Sequence, residues 1–148
     1  MSLNIDILLK DFKKHHQISN DAMLIVGVSG GCDSMVLLHA LQKVHSNLTV
    51  AHVNYKLRGA DSDRDANLVK EISGENKLPF QCLDHDLKVD LDQYGGNLQE
   101  RARDIRYQFF QKILNSYDSA YLVLAHHQGD QIENFWMQMA RGAGIRAM

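Results

Sequence analysis

One proline, two cysteines, one tryptophan and a formal net charge of −2 are found among 148 residues, and each shortage narrows the field. Cys32 and Cys82 stand far apart and match neither a CxxC pair nor a zinc-ligand spacing. They make no disulfide framework, and a reducing compartment suits them. The near-neutral balance supplies no global field that would draw the chain to nucleic acid. An RNA partner needs a local basic patch, or a basic region outside these residues. No run approaches the roughly 20 apolar residues of a membrane span. The opening "MSLNIDILLKDFKKHH" carries Asp6 and Lys10 inside its apolar stretch, unlike a signal-peptide core. A cytoplasmic location is the expectation.

What remains is ordinary for a globular chain: 45 % hydrophobic and 23 % charged residues, enough for one core. Ile5, Leu8, Leu9 and Phe12 follow helical spacing. "AMLIVGVS" is a continuous apolar run, as in a strand covered on both faces. "SMVLLHALQKV" then reads as a well-covered helix and "NLTVAHVNY" as a second strand. In "DSDRDANLVKEIS", Ser62 and Asp65 are spaced as a capping-box variant at a helix start. Pro79 introduces a short third strand, "FQCLDHD". A long helix follows the Gly95-Gly96 break, with Leu98, Ala102, Ile105, Phe109 and Ile113 on one face. "AYLVLAHH" reads as a fourth strand and "DQIENFWMQMARG" as a further helix, in which Ile132, Phe135, Trp136 and Met139 form the core flank. One helix and four successive β-α units predict an α/β fold, an open and mainly parallel twisted sheet with helices on both faces. No repeat or linker divides residues 1–148, which read as a single domain. The ending "RGAGIRAM" lacks a visible final strand, so a truncated C-terminal end is expected.

Small polar residues at the first strand-to-helix handover, "SGGCDS", carry the chemistry. In an open α/β sheet, ligands bind beyond the carboxyl ends of the strands. Gly30 and Gly31 allow the backbone to approach an anion, while the next helix offers unpaired N–H groups and partial positive charge. Ser29 and Ser34 add hydroxyls. The set suits phosphate or pyrophosphate. Asp33 is open to two readings. It is either a helix N-cap beside a tight turn, or a carboxylate that meets phosphate through Mg²⁺. The loop has no lysine of the GxxxxGK[ST] kind and no G-x-G-x-x-G, which disfavours kinase-type and dinucleotide sites.

"SGGCDS" resembles the SGGxDS signature of the PP-loop ATP pyrophosphatases. "HVNYKLRGADSDRDA", "NLQERARDIRYQFF" and "AHHQGDQIENFWMQMARGAG" extend the likeness to the N-terminal domain of the tRNA(Ile)-lysidine synthetases, over roughly residues 21 to 145. Four co-linear blocks are far more specific than one loop. The departures are Tyr55 and Lys56, where His-Gly is usual, Gly129 in place of the first aspartate of HHxDDQxET, and Asn134 in place of its threonine. The resemblance implies an adenine nucleotide alpha hydrolase-like domain that uses ATP and Mg²⁺. Its partners would be free lysine and an isoleucine tRNA, with regions absent here needed for tight tRNA binding. Lysine would be ligated to C2 of the wobble cytidine through an adenylated intermediate. The alternatives are another PP-loop enzyme, such as a tRNA thiolase, and a nucleotide-binding fragment without turnover; the lack of a cysteine pair weakens the thiolase.

On this resemblance Ser29, Gly30, Gly31, Cys32, Asp33 and Ser34 hold the pyrophosphate end of ATP, Cys32 through its backbone. Ala51 and His52 stand where the family contacts adenine, although His52 also suits a strand-end residue with a satisfied ring. Gln99, Arg103 and Arg106 share a flank of the long helix. Arg106 is the preferred catalytic or nucleotide-binding arginine and Arg103 the second, against surface ion pairing. Arg58 is either a substrate contact or a solvated charge. His126 is expected to act on the phosphate or the base, Asp33 and Asp130 to hold the metal, and Glu133 to serve as a base or to orient lysine.

Overall fold

A computed structural model describes residues 4–127 and 135–141, with side chains described as far as residue 125. In chain order the elements are α1 (Ile5–His15), β1 (Met23–Gly27), α2 (Cys32–Val44), β2 (Leu48–Asn54), α3 (Ala60–Glu75), β3 (Phe80–Asp84), α4 (Leu87–Tyr94), α5 (Leu98–Leu114), β4 (Ala120–His127) and β5 (Phe135–Arg141). The strands form one sheet in the order β3-β2-β1-β4-β5. Pairings among β1 to β4 are parallel, with Gly27 opposite Ala51 on one side and Leu124 on the other. This is the open, mainly parallel α/β sheet that the pattern predicts.

Strand alternation sends side chains to two separate cores. Leu24, Val26, Val28 and Val50 join Leu9 of α1, Leu37, Leu38 and Leu41 of α2 and Val69 of α3 on one face. Ile25, Ala51, Leu122 and Leu124 meet Phe110, Ile113 and Leu114 of α5 on the other. Helices therefore cover both faces, which is why β1 is apolar without interruption. Each fully buried leucine here contributes about 1.5–3 kcal/mol by leaving water. Among the described residues no helix is long and apolar enough to cross a membrane.

Four local expectations are corrected. The segment expected as a final helix holds β5, antiparallel to β4 with His126 opposite Trp136 and His127 opposite Phe135. Its run of large apolar residues fits either period, and strand pairing gives β4 the neighbour it lacks on that side. Phe135, Trp136 and Met139, expected on a helical core flank with Ile132, lie on this strand instead, and Ile132 falls outside the described residues. A short helix, α4, precedes the long one, N-capped by the Asp86 side chain on Val89 N–H at 3.2 Å. Ser62 lies in the first turn of α3, whose N-cap is Gly59; its Oγ accepts from Arg58 N–H at 2.9 Å. The buried stripe of α5 is Ile105, Phe110, Ile113 and Leu114, while Leu98 is 43 % exposed.

Candidate nucleotide site

β1, β2 and β4 end side by side, and α2 starts where β1 stops. A cavity of about 240 Å³ opens at that point. It is lined by Gly27, Val28, Ser29 and Ser34 from the first crossover, and by Ala51, Val53 and Tyr55 along and just beyond β2. Arg106 and Phe110 from α5, with Leu124 and Ala125 from β4, complete it. Its floor exists because Gly27 has no side chain. A Cβ there would lie 2.3 Å from Leu124 Cδ2 and 3.1 Å from Phe110 Cζ.

The loop is braced by its own serines. Ser34 Oγ donates to the Gly31 carbonyl at 3.0 Å and accepts from Ser29 N–H at 3.1 Å. With its single hydrogen so engaged, it also accepts from Ser29 Oγ–H at 3.1 Å, and Ser29 Oγ in turn accepts from Gly31 N–H at 3.2 Å. The two hydroxyls thus stiffen the loop rather than point away from it. Gly30 turns the chain at φ 91°, a conformation that other residues rarely adopt. The N-cap of α2 is Gly31, with no side-chain cap bond, so Asp33 is not the N-cap. The first-turn amides of α2 have no intrahelical acceptor. They sit at the positive end of the helix dipole, as an anion site requires. Cys32 is the first helical residue and exposed, and Asp33 is half-buried in the same turn.

The opposite wall comes from α5. Arg106 lines the cavity, and its Nε is buried without a hydrogen-bond partner among the described residues. A buried, unsatisfied guanidinium donor is costly, and a phosphate oxygen would remove that cost. Tyr107 supports the group, its ring centroid 5.4 Å from the Arg106 guanidinium carbon. Tyr55 OH donates to the Ala102 carbonyl at 3.1 Å. Ala102 is the i−4 partner of Arg106 in the helix ladder, so Tyr55 ties the turn bearing the arginine to the end of β2. Burial pushes the Tyr55 hydroxyl pKa up, and the Arg106 charge opposes that shift.

Ser29, Ser34, Ala51 and Arg106, expected from sequence, meet around one cavity. His52 is turned the other way: its buried ring donates from Nδ1 to the Val28 carbonyl at 2.7 Å. Arg103 is exposed, packs its guanidinium 5.4 Å from the Tyr107 ring, and does not line the cavity. The backbone of His126 stands one residue before the end of β4, and its side chain lies outside the described residues, as do Asp130 and Glu133. Gly27, Val53, Tyr55 and Phe110 were not singled out as site residues. A glycine inside an apolar strand signals close approach, Phe110 lies one turn beyond Arg106, and Tyr55 departs from the family pattern, so three of the four carry a signal in the sequence.

The family model for the PP-loop domain matches residues 2–148. The tRNA(Ile)-lysidine synthase of Bacillus subtilis is 41 % identical over 138 residues, covering 90 % of this chain and 29 % of that protein. The tRNA(Ile)-lysidine synthase of Clostridium tetani is 34 % identical and covers 97 % of this chain and 32 % of its own length. The chain thus spans about three tenths of the length of these relatives. An NH3-dependent NAD synthetase from Campylobacter jejuni has a similar fold, with a TM-score of 0.61 at 16 % identity, covering 81 % of this chain and 53 % of that one.

Proposed function

Because the chain belongs to the PP-loop domain family, we propose that it is the nucleotide-binding catalytic part of a tRNA(Ile)-lysidine synthetase, a ligase that converts ATP to AMP and pyrophosphate. The observation that carries the reading is the cavity running from the braced serine loop to the Arg106 Nε, which has no partner among the described residues. The relatives of that name, matched over nine tenths of the chain, support it.

O2 of the wobble cytidine attacks the α-phosphate of ATP; the α–β bridge breaks and pyrophosphate leaves. The amine of free lysine then attacks C2, and O2 departs on AMP. Adenylation turns a poor oxygen leaving group into a good one. The chain's part is positioning and charge stabilisation. Amides from Gly30 to Ser34, those of Cys32 and Asp33 included, take the pyrophosphate end. Arg106 donates to the phosphate oxygens, with Arg103 behind it as a source of positive potential. Ala51 and the apolar walls Val53, Phe110 and Leu124 seat adenine and exclude water, while His52 fixes the strand end.

Magnesium fits this site. Asp33 lies in the first turn of α2, and Asp130 is its proposed co-ligand. Among the described residues no three His, Cys, Asp or Glu side chains gather into a metal group. The proposed arrangement is an ion held by one or two carboxylates together with substrate phosphate oxygens, as is usual for magnesium. When bound, it neutralises charge on those oxygens. His126 is assigned to the phosphate or base, and Glu133 to accepting the proton of the attacking lysine amine.

ATP/pyrophosphate exchange dependent on Mg²⁺ and on an isoleucine tRNA, followed by a lysine-dependent mass gain on cytidine, tests the reading. Exchange driven by a different acceptor, or a mass gain from sulfur, would move the chain to another branch of the family.

A further inference from the structure

Ser29 lines a second recess, of about 170 Å³, on the α3 side of the loop, and the charged groups there are Arg58 and Asp65. Asp65 lies against the loop: a Cβ on Gly30 would stand 3.3 Å from Asp65 Cβ and 3.6 Å from its carboxyl carbon. A carboxylate is thereby placed beside the amides assigned above to pyrophosphate, where like charge opposes binding. The Arg58 guanidinium sits directly on that carboxylate. Arg58 is also held at its backbone, where its N–H donates to Ser62 Oγ at 2.9 Å. The two side chains are 65 % and 36 % exposed, and ion pairs so placed contribute little to folding.

We propose that Arg58 is a positioning residue that masks Asp65, holding the recess near neutrality so that the loop can accept a polyphosphate. This deepens the reading of the loop as a pyrophosphate nest and rests on it. The arginine acts through the aspartate and does not touch the ligand. The separation sets the scale. One uncompensated charge several ångströms from a polyanion, screened by water and salt, weakens binding roughly three- to tenfold.

The test is a double-substitution cycle read by calorimetric titration of inorganic pyrophosphate with Mg²⁺, at low and at high salt, with melting temperature as the folding control. Arg58→Ala is expected to weaken binding roughly three- to tenfold at low salt and less at high salt. Asp65→Asn should bind as well as the unsubstituted chain or better. Adding D65N to R58A should restore affinity to the D65N value, and Arg58→Lys should retain it. An unchanged R58A overturns the proposal, because Asp65 then needs no masking. A double variant as weak as R58A overturns it too, because Arg58 would then contact phosphate itself. If the unsubstituted chain binds no pyrophosphate, the nest reading fails and the masking role falls with it. The first two failures leave the nest intact and are thereby distinguishable from the third.

Discussion

Arg101 and Arg106 leave the same helix little more than one turn apart, yet their surroundings are opposites. Arg101 is satisfied: Nε meets Asp90 Oδ1 at 2.5 Å and Nη2 meets Oδ2 at 3.1 Å. His85 Nε2 lies 2.9 Å from the same carboxylate, and Tyr94 stacks 5.8 Å from the guanidinium carbon. That cluster clamps α4 to α5 and to the chain just beyond β3. Arg106 faces an open cavity with a buried Nε that has no partner among the described residues. A satisfied arginine is architecture, and an unsatisfied one at a strand-end cavity is a candidate ligand site.

Exchanging the fates of the two arginines tests that distinction. Arg106→Ala has the largest expected effect on ligand: about a 10- to 100-fold loss of ATP affinity, the worth of a charged hydrogen bond. The melting temperature should hold or rise, since an unpaired buried donor is removed. Equal losses of affinity and stability would erase the contrast with Arg101. Asp90→Ala should do the reverse, lowering Tm by roughly 5–10 °C by leaving the Arg101 guanidinium without its carboxylate while ATP affinity stays within about twofold. Calorimetry and thermal melts on both variants decide the pair.

Tyr55→Phe sharpens the comparison with a smaller change. Removing one hydroxyl frees the turn that carries Arg106, and a neutral hydrogen bond converts to about a two- to tenfold loss in ATP affinity. The same change should leave the Arg101 cluster untouched, visible as unchanged protection of α4 amides in hydrogen exchange.

The smallest effect lies in the pH dependence. Hydrogen bonding from Arg101 holds the Asp90 carboxyl below the usual carboxylate range, against an upward push from burial, with His85 adding to the fall. A depressed folded pKa gives stability that is present above the ordinary carboxylate pKa and lost as pH falls through the lower folded value. The stability gap between the unsubstituted chain and Asp90→Asn should therefore shrink from about pH 5 downward. A gap that stays constant to pH 2 would detach the clamp from Asp90 ionisation.

What sequence made legible follows the same divide. The four parallel strands, the serine-glycine loop and Arg106 were readable because each rests on local pattern: apolar runs, glycines at a handover, and a helical flank. α4 is hard to read from sequence because it is only eight residues long, and Val89 between Leu87 and Leu91 lends the segment a strand-like alternation. Its anchor, Asp90, meets an arginine on the next helix. "FWMQMAR" by itself fits a helix or a strand, and its pairing with β4 decides for β5. His52 shows the limit at the site itself: its position beside Ala51 was evident, but its ring bonds the strand neighbour. Tyr55 held a position marked as unusual, while its bond to Ala102 spans a separation that no local pattern encodes.

A crystal structure of the chain with Mg²⁺ and a non-hydrolysable ATP analogue tests the central claim most directly. Phosphates are expected on the amides of Gly30 to Ser34, with Arg106 Nε donating to a phosphate oxygen and adenine between Ala51 and Leu124. Nucleotide bound elsewhere, with Arg106 Nε still unpartnered, would contradict it.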